Sequence, residues 1–156
     1  MADWRLEMLR ADSAGNISKR QSATAFHFSR IGGNCPLWVV HHAFSRPGEF
    51  LTQVAQMPDG RSYFWIARTT TSTPSSFLGP KKSFAIGLGC DLAHADKLIY
   101  SAGISLADPA AVVAIGAGCR ICDRPACPQR AFPYVARPVQ VDQDSSSDLP
   151  YPPGTG

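Results

Sequence analysis

Glu49-Phe-Leu-Thr-Gln-Val-Ala-Gln56, then Met57-Pro58-Asp59-Gly60, then Arg61-Ser-Tyr-Phe-Trp-Ile-Ala-Arg-Thr-Thr70, is the stretch that decides the fold. Two runs rich in β-branched and aromatic residues flank a Pro-Asp-Gly turn whose glycine can take positive φ. The pattern predicts a β-hairpin, and with it a sheet as the frame of the chain. Downstream, Lys82 to Leu88 reads as a third strand. It runs into Gly89-Cys90 and a helix from Asp91 to Tyr100 that places Leu92, Ala95, Leu98 and Ile99 inward.

Upstream of the hairpin, Ala23 to Ile31 alternates around Phe26 and Phe28 and reads as a strand ending at the Gly32-Gly33-Asn34 turn. Pro36 suits the first turn of a helix carrying Leu37, Trp38, Val40 and Ala43, broken at Arg46-Pro47-Gly48. Residues 3 to 11 read as a short helix capped by Asp3, with Trp4 and Met8 one turn apart. Thr69 to Pro80 is a Ser/Thr/Pro/Gly loop. Together these predict an α+β fold: an antiparallel sheet with helices packed on one face and an irregular cysteine-rich C-terminal segment. Residues 23–138 form the domain, 1–22 a preceding helix and loop, and 139–156 a flexible tail poor in core-forming residues.

At 156 residues, 44% hydrophobic and 17% charged, the chain can bury a core of its own. A net charge of +3 makes no electrostatic case for nucleic acid. No apolar run approaches the roughly 18 residues a membrane span requires, and the N-terminus lacks the basic and apolar regions of a signal peptide. The expected compartment is therefore the cytoplasm, where thiols stay reduced. Five cysteines, an odd and tightly spaced set, favour metal or cluster ligation over a disulfide framework.

Three of the five form Cys119-Arg-Ile-Cys122-Asp-Arg-Pro-Ala-Cys127. Two intervening residues let the first pair of sulfurs face one centre, and Pro125 helps to return the third. Structural zinc sites are usually built from two ligand pairs, whereas three grouped cysteines with one distant partner suit an iron–sulfur cluster. Cys90, after a strand and opening a helix where a thiolate is favoured, reads as the fourth ligand, with His94 on the same face as the alternative. Cys35, before Pro36, reads as a small packed side chain. His41 and His42 point about 100° apart on a helix, which is poor chelating geometry. Arg120, Arg124, Arg130 and Arg137 face only Asp123 within residues 119–137; they could meet an anion, although a solvated strip is the commoner arrangement. No paired carboxylates, Ser/His/Asp set or hydrolase motif is visible, and the Cys-x-x-Cys lacks a thioredoxin-like setting, so no catalysis is expected.

Several blocks resemble one bacterial domain: Gly33-Asn34-Cys35-Pro36-Leu37-Trp38, Gln56-Met57-Pro58-Asp59-Gly60-Arg61, Ile66-Ala67-Arg68-Thr69, Gly87-Leu-Gly-Cys90-Asp-Leu-Ala-His94-Ala95, and the cysteine block with its Pro128-Gln-Arg-Ala-Phe-Pro133 extension. From about Ala25 to Pro138 the chain is similar to the C-terminal domain of short-chain fatty acyl transcriptional regulators, which include activators of propionate and methylcitrate metabolism. The resemblance implies a ligand-sensing domain that binds CoA or a short-chain acyl-CoA. It also implies an iron–sulfur cluster of 4Fe-4S type beside that pocket, and assembly into a homo-oligomer. Residue by residue it assigns Cys119, Cys122 and Cys127 to the cluster, and Cys90 with them. Such regulators carry a helix-turn-helix domain upstream, so no direct DNA contact is expected from this chain alone.

A CoA site wants cations at its mouth for phosphate and apolar or stacking walls behind. Arg30, Arg68, Lys81, Lys82 and Arg124 are candidate cations, with Trp38, Phe64 and Trp65 as walls; Arg30, Trp38, Arg68 and Lys82 form the chosen set. Gly87-x-Gly89 is not a dinucleotide fingerprint, because the third glycine is missing. The alternative to a sensor is a zinc-stapled interaction module with no small-molecule ligand.

Overall fold

A computed structural model of the chain describes residues 5–27, 33–139, 143, 144, 146, 148 and 151. Its frame is the expected hairpin: β3 (Leu51–Gln56) and β4 (Ser62–Thr71) pair antiparallel, with Val54 opposite Phe64 and Leu51 opposite Ala67. The turn closes as the sequence predicts, with Gly60 at φ 84° and its N–H donating to Met57 O at 3.0 Å. The third strand, β5 (Ser83–Asp91), pairs with β4 along its whole length and carries on through Gly89 and Cys90.

The N-terminal segment is not a helix. It is a hairpin of β1 (Leu6–Asp12) and β2 (Ile17–Gln21), and β1 lies antiparallel along β5. A spacing of four residues satisfies an even-period strand as well as a helical face, and Glu7, Leu9 and Ala11 all turn inward. The capping Asp3 and Trp4 lie outside the described residues. With β6 (Val112–Ala114) parallel to β3, the sheet order is β2-β1-β5-β4-β3-β6. The α+β architecture stands, with one parallel pair added at the edge of an otherwise antiparallel sheet.

Three further expectations change. The described part of the strand expected over 23–31 is loop, and Phe26 enters the core from it; Phe28 to Ile31 lie outside the described residues. The helix after Pro36 shortens to α1 (Val39–His42) followed by a 3₁₀ turn at Ala43–Ser45. Its first N–H is capped from the sheet, where Gln53 Oε1 accepts from Val39 N at 2.9 Å while Nε2 donates to Leu37 O at 2.8 Å. The helix expected over 91–100 becomes two 3₁₀ segments, Leu92–Lys97 and Ile99–Ser101, separated by extended Leu98. Asp91 still caps the first by accepting from Ala93 N–H at 3.0 Å, but Ile99 is 82% exposed rather than inward. Of the tail expected over 139–156, most residues lie outside the described set.

Both faces of the sheet are covered, not one. Tyr63, Trp65 and Ala67 of β4 face α1, together with Phe26, Leu9 and Val40; Phe64 and Ile66 face the other way, against Val54, Cys90 and Ala95. Five consecutive buried residues, Tyr63 to Ala67, follow from that double cover. Two glycines make the first face possible. A Cβ at Gly87 would stand 2.9 Å from Val40 Cγ1, and one at Gly89 2.8 Å from the Trp65 ring, so bare backbone lets helix and indole seat on the sheet. Trp65 then meets Trp38 at 4.7 Å and Phe26 at 4.8 Å between centroids, both edge-on.

Candidate metal centre

The cysteine block hangs from the edge of this sheet. Beyond β6, Ile115 N–H donates to Gln56 O at 2.9 Å, and the chain turns through Gly116 into a 3₁₀ turn at Cys119–Ile121. Arg124 binds the loop back to the strand end, donating through Nε to Ile115 O and through Nη2 to Gln56 O, both at 3.2 Å. Arg130 gathers the loop from within by donating to the carbonyls of Cys119, Cys122 and Arg124. Immediately before Cys127, Ala126 takes φ 23°, so a strained residue contributes to the reversal assigned to Pro125. Over the loop lies the 131–135 strap: Ala131 N–H donates to Cys119 Sγ at 3.3 Å, Phe132 packs under the Arg120 guanidinium, and Val135 N–H donates to Arg120 O at 2.8 Å. Gly33 closes against that strap, since a Cβ there would meet the Phe132 ring at 2.9 Å.

The sulfur that comes to this loop from elsewhere is Cys35. It is buried, and the N–H groups of Gly116 and Leu37 are directed at it. Burial pushes its thiol pKa up, against those two N–H groups, and negative charge on the nearby Cys122 and Cys127 would push it further. Gly116 leaves room for Cys122: a Cβ there would lie 2.8 Å from Cys122 Sγ and 3.0 Å from its Cβ. Among the described residues no three His, Cys, Asp or Glu side chains already stand at metal-holding spacing. The donor set still fits a thiolate-bound group. It supplies soft sulfur ligands from two chain segments, room beside Cys122 kept open by glycine, and backbone N–H groups directed at Cys35 and Cys119.

Cys90 is not brought to this place. It sits in β5 within the opposite-face core of Val54, Phe64, Ile66 and Ala95, and it opens no helix. Its thiol pKa is pushed up to about 11, by burial first and then by Asp91 and Asp96, the reverse of the lowered value expected. His94 lies on the 3₁₀ segment with Lys97 Nζ 3.3 Å from its Nδ1. The CoA set is dispersed: Trp38 is 1% exposed inside the core, Lys82 is exposed beside β5, Arg68 is exposed over the Phe50 ring at 4.9 Å, and Arg30 lies outside the described residues. Sequence reasoning did not connect Cys35 or the buried Arg130 with the cysteine loop that the fold brings them to. The Gly33-Asn34-Cys35-Pro36 block was the available signal for the first, and the charge imbalance of residues 119–137 for the second.

A family model described as "Short-chain fatty acyl coenzyme A regulator, C-terminal" matches residues 5–151. Over 143 residues the chain is 65% identical to the HTH-type transcriptional regulator PrpR of Mycobacterium tuberculosis (strain ATCC 25618 / H37Rv), covering 92% of this chain and 29% of that one. It is 55% identical over 145 residues to the HTH-type transcriptional regulator RamB of the same organism, covering 92% and 31%. Against the propionyl-CoA carboxylase regulator of Cereibacter sphaeroides it is 49% identical over 143 residues, covering 92% and 31%. A solved chain described as a Mycobacterium tuberculosis transcriptional regulator superposes with a TM-score of 0.80 at 64% identity, covering 94% of this chain and 44% of that one. The chain thus spans 29–31% of the length of these curated relatives. Their names describe regulators, in keeping with the expectation of a chain without catalysis. Among the described residues no helix is long and apolar enough to cross a membrane.

Proposed function

The chain belongs to the short-chain fatty acyl coenzyme A regulator family, as a C-terminal domain of that type, and from that premise we propose that it is the effector-sensing part of a transcriptional regulator of short-chain acyl-CoA metabolism, holding an iron–sulfur cluster on Cys35, Cys119, Cys122 and Cys127. The observation that carries the cluster reading is that buried Cys35 meets the cysteine loop at Gly116, whose N–H is directed at Cys35 while its bare Cα faces Cys122 Sγ. Cys35 takes the place the sequence assigned to Cys90. When bound, the cluster supplies redox- and iron-dependent cross-linking of the loop to the core. The protein's own residues do the rest: Gly116 leaves room for sulfur, Ala131 N–H donates to Cys119, and Arg124 ties the loop to the end of β3.

A short-chain acyl-CoA is the proposed effector, in line with the family description and the propionyl-CoA carboxylase regulator among the relatives. A groove of about 500 Å³ between α1 and β3, lined by His42, Arg46, Phe50 and Gln53 among others, offers a place for it. Arg46, 3.9 Å from Glu49 Oε2 in the free chain, supplies a cation that a phosphate could take over, beside the Phe50 ring that Arg68 and Tyr100 contact. Gln53 lines the groove and caps α1, so occupancy there bears on the segment that leads back to Cys35. Leu6 and Leu88, 41% and 40% exposed on the sheet face that carries Cys90 and Ile66, suit burial in a homo-oligomer.

The test is iron and acid-labile sulfide analysis of protein made without air. We expect both in the wild type and in Cys90→Ala, and neither in Cys35→Ser or Cys122→Ser. Stoichiometric zinc without sulfide would replace this reading by a zinc-stapled module. Iron lost from Cys90→Ala but kept in Cys35→Ser would return the fourth ligand to Cys90. Calorimetry with propionyl-CoA then tests the coupling: binding should weaken in colourless Cys122→Ser, and undiminished binding there would separate effector from cluster.

A further inference from the structure

Arg130 is 6% exposed, yet among the described residues no carboxylate meets it. Its guanidinium donates only to backbone carbonyls: Nη1 to Cys119 O at 3.4 Å, and Nη2 to Cys122 O at 3.0 Å and Arg124 O at 2.9 Å. Those bonds satisfy N–H groups but bring no net charge. A guanidinium stays protonated in a protein, and a buried cation without a counter-charge is costly. Arg124, half-buried, also reaches only carbonyls, while Arg120 and Arg137 lie over the rings of Phe132 and Tyr134. Asp123, the one acid within residues 119–137, is exposed and bonded to none of them. What the buried guanidinium holds is the backbone of the cysteine motif, because two of the three carbonyls it reaches belong to Cys119 and Cys122.

We propose that Arg130, seconded by Arg124, is the charge partner of an anionic thiolate centre, a role that rests on the metal-centre reading above. Four cysteinates around a divalent metal, or around an iron–sulfur cluster, carry net negative charge. The buried guanidinium offsets that charge while its hydrogen bonds set the spacing of Cys119 and Cys122. It is a positioning residue that never touches the metal, and its contribution depends on its charge and not only on its shape. The structure therefore separates two substitutions: glutamine removes the charge, and lysine keeps it but cannot span three carbonyls.

Cobalt(II) is the probe, titrated without air into the reduced chain and read by its tetrahedral thiolate absorbance. Circular dichroism of the metal-free proteins checks that each variant folds. We expect Arg130→Gln to lose about tenfold or more in cobalt affinity, as is typical when a group just outside the ligands is removed, and Arg130→Lys to recover most of the loss. Equal weakness in both variants would show a splint without electrostatic function, and wild-type affinity in both would show no function at all; either overturns the proposal. A wild-type chain that takes up no cobalt through its cysteines overturns the metal-centre reading and this inference with it. If Arg130→Gln does not fold, Arg124→Gln and Arg124→Lys take its place. A loss restored by lysine supports the charge role, and no loss overturns it.

Discussion

Replacing Gly89 with alanine puts a methyl group 2.8 Å from Cδ2, Cε2 and Cε3 of Trp65. Ordinary carbon contacts begin near 3.5 Å, so the indole would have to retreat by roughly 0.7 Å. It has nowhere to go, with Trp38 at 4.7 Å and Phe26 at 4.8 Å between ring centroids and no exposed edge. Overpacking of this kind costs about 1–3 kcal/mol, and the rigid aromatic backing places Gly89→Ala near the upper end. Against that, exchanging a strand glycine for alanine regains about 0.5–1 kcal/mol of backbone entropy. The net expectation is a loss of about 2 kcal/mol, which for a domain of this size lowers Tm by roughly 4–8 °C. Thermal unfolding followed by tryptophan fluorescence and circular dichroism measures it. A double-mutant cycle with Trp65→Phe should show a coupling above about 0.5 kcal/mol, because the smaller ring vacates part of the space the methyl needs. An unchanged or raised Tm for Gly89→Ala would refute the close-packing argument for this face.

Two other perturbations follow from the same geometry. Glu7 is buried in β1, where its carboxylate accepts from Thr24 Oγ1 at 2.6 Å and pairs with Arg20 Nε at 3.3 Å; burial outweighs both and raises its pKa above the ordinary 4.5. The folded state then holds the proton more tightly than the unfolded one, so the stabilisation is full below the unfolded pKa and is lost as pH rises through the folded value. Glu7→Gln should therefore gain on the wild type as pH increases from the acid range toward neutrality, and a difference in unfolding free energy that does not vary with pH would contradict this. Gly116→Ala should displace Cys122 Sγ and lower zinc or iron retention roughly five- to 150-fold, the equivalent of about 1–3 kcal/mol. Competition with a chelator reads that change, and wild-type affinity would show that the bare Gly116 is irrelevant to the site.

The hairpin and third strand were legible because their signals are local. Pro58-Asp59-Gly60 makes its own turn, and the runs on either side alternate or stay apolar in ways only a covered sheet allows. The first strand was misread because Trp4 and Met8 are spaced for either a helix or a strand, and because Glu7 masks the inward row with a charge that only its burial beside Thr24 and Arg20 explains. The start expected at Asp91 is where the strand ends and a helical segment begins, with Asp91 as its cap. What it caps is a 3₁₀ segment, since the chain there bends to cover Phe64 and Ile66 instead of running on as a helix.

By itself the amino-acid order determined the sheet's central hairpin, the family resemblance, and the close grouping of the Cys119, Cys122 and Cys127 thiols. Each depends on residue types and short spacings, which act within a few bonds along the chain. Which distant thiol lies nearest that segment depends on the tertiary fold. Alternation on β5 turns Cys90 to the Phe64 face, whereas the loop before α1 brings Cys35 over Gly116. The buried position of Arg130, with no carboxylate against it among the described residues, was likewise invisible until the loop closed around it, because burial depends on how the loop folds and not on residue order alone.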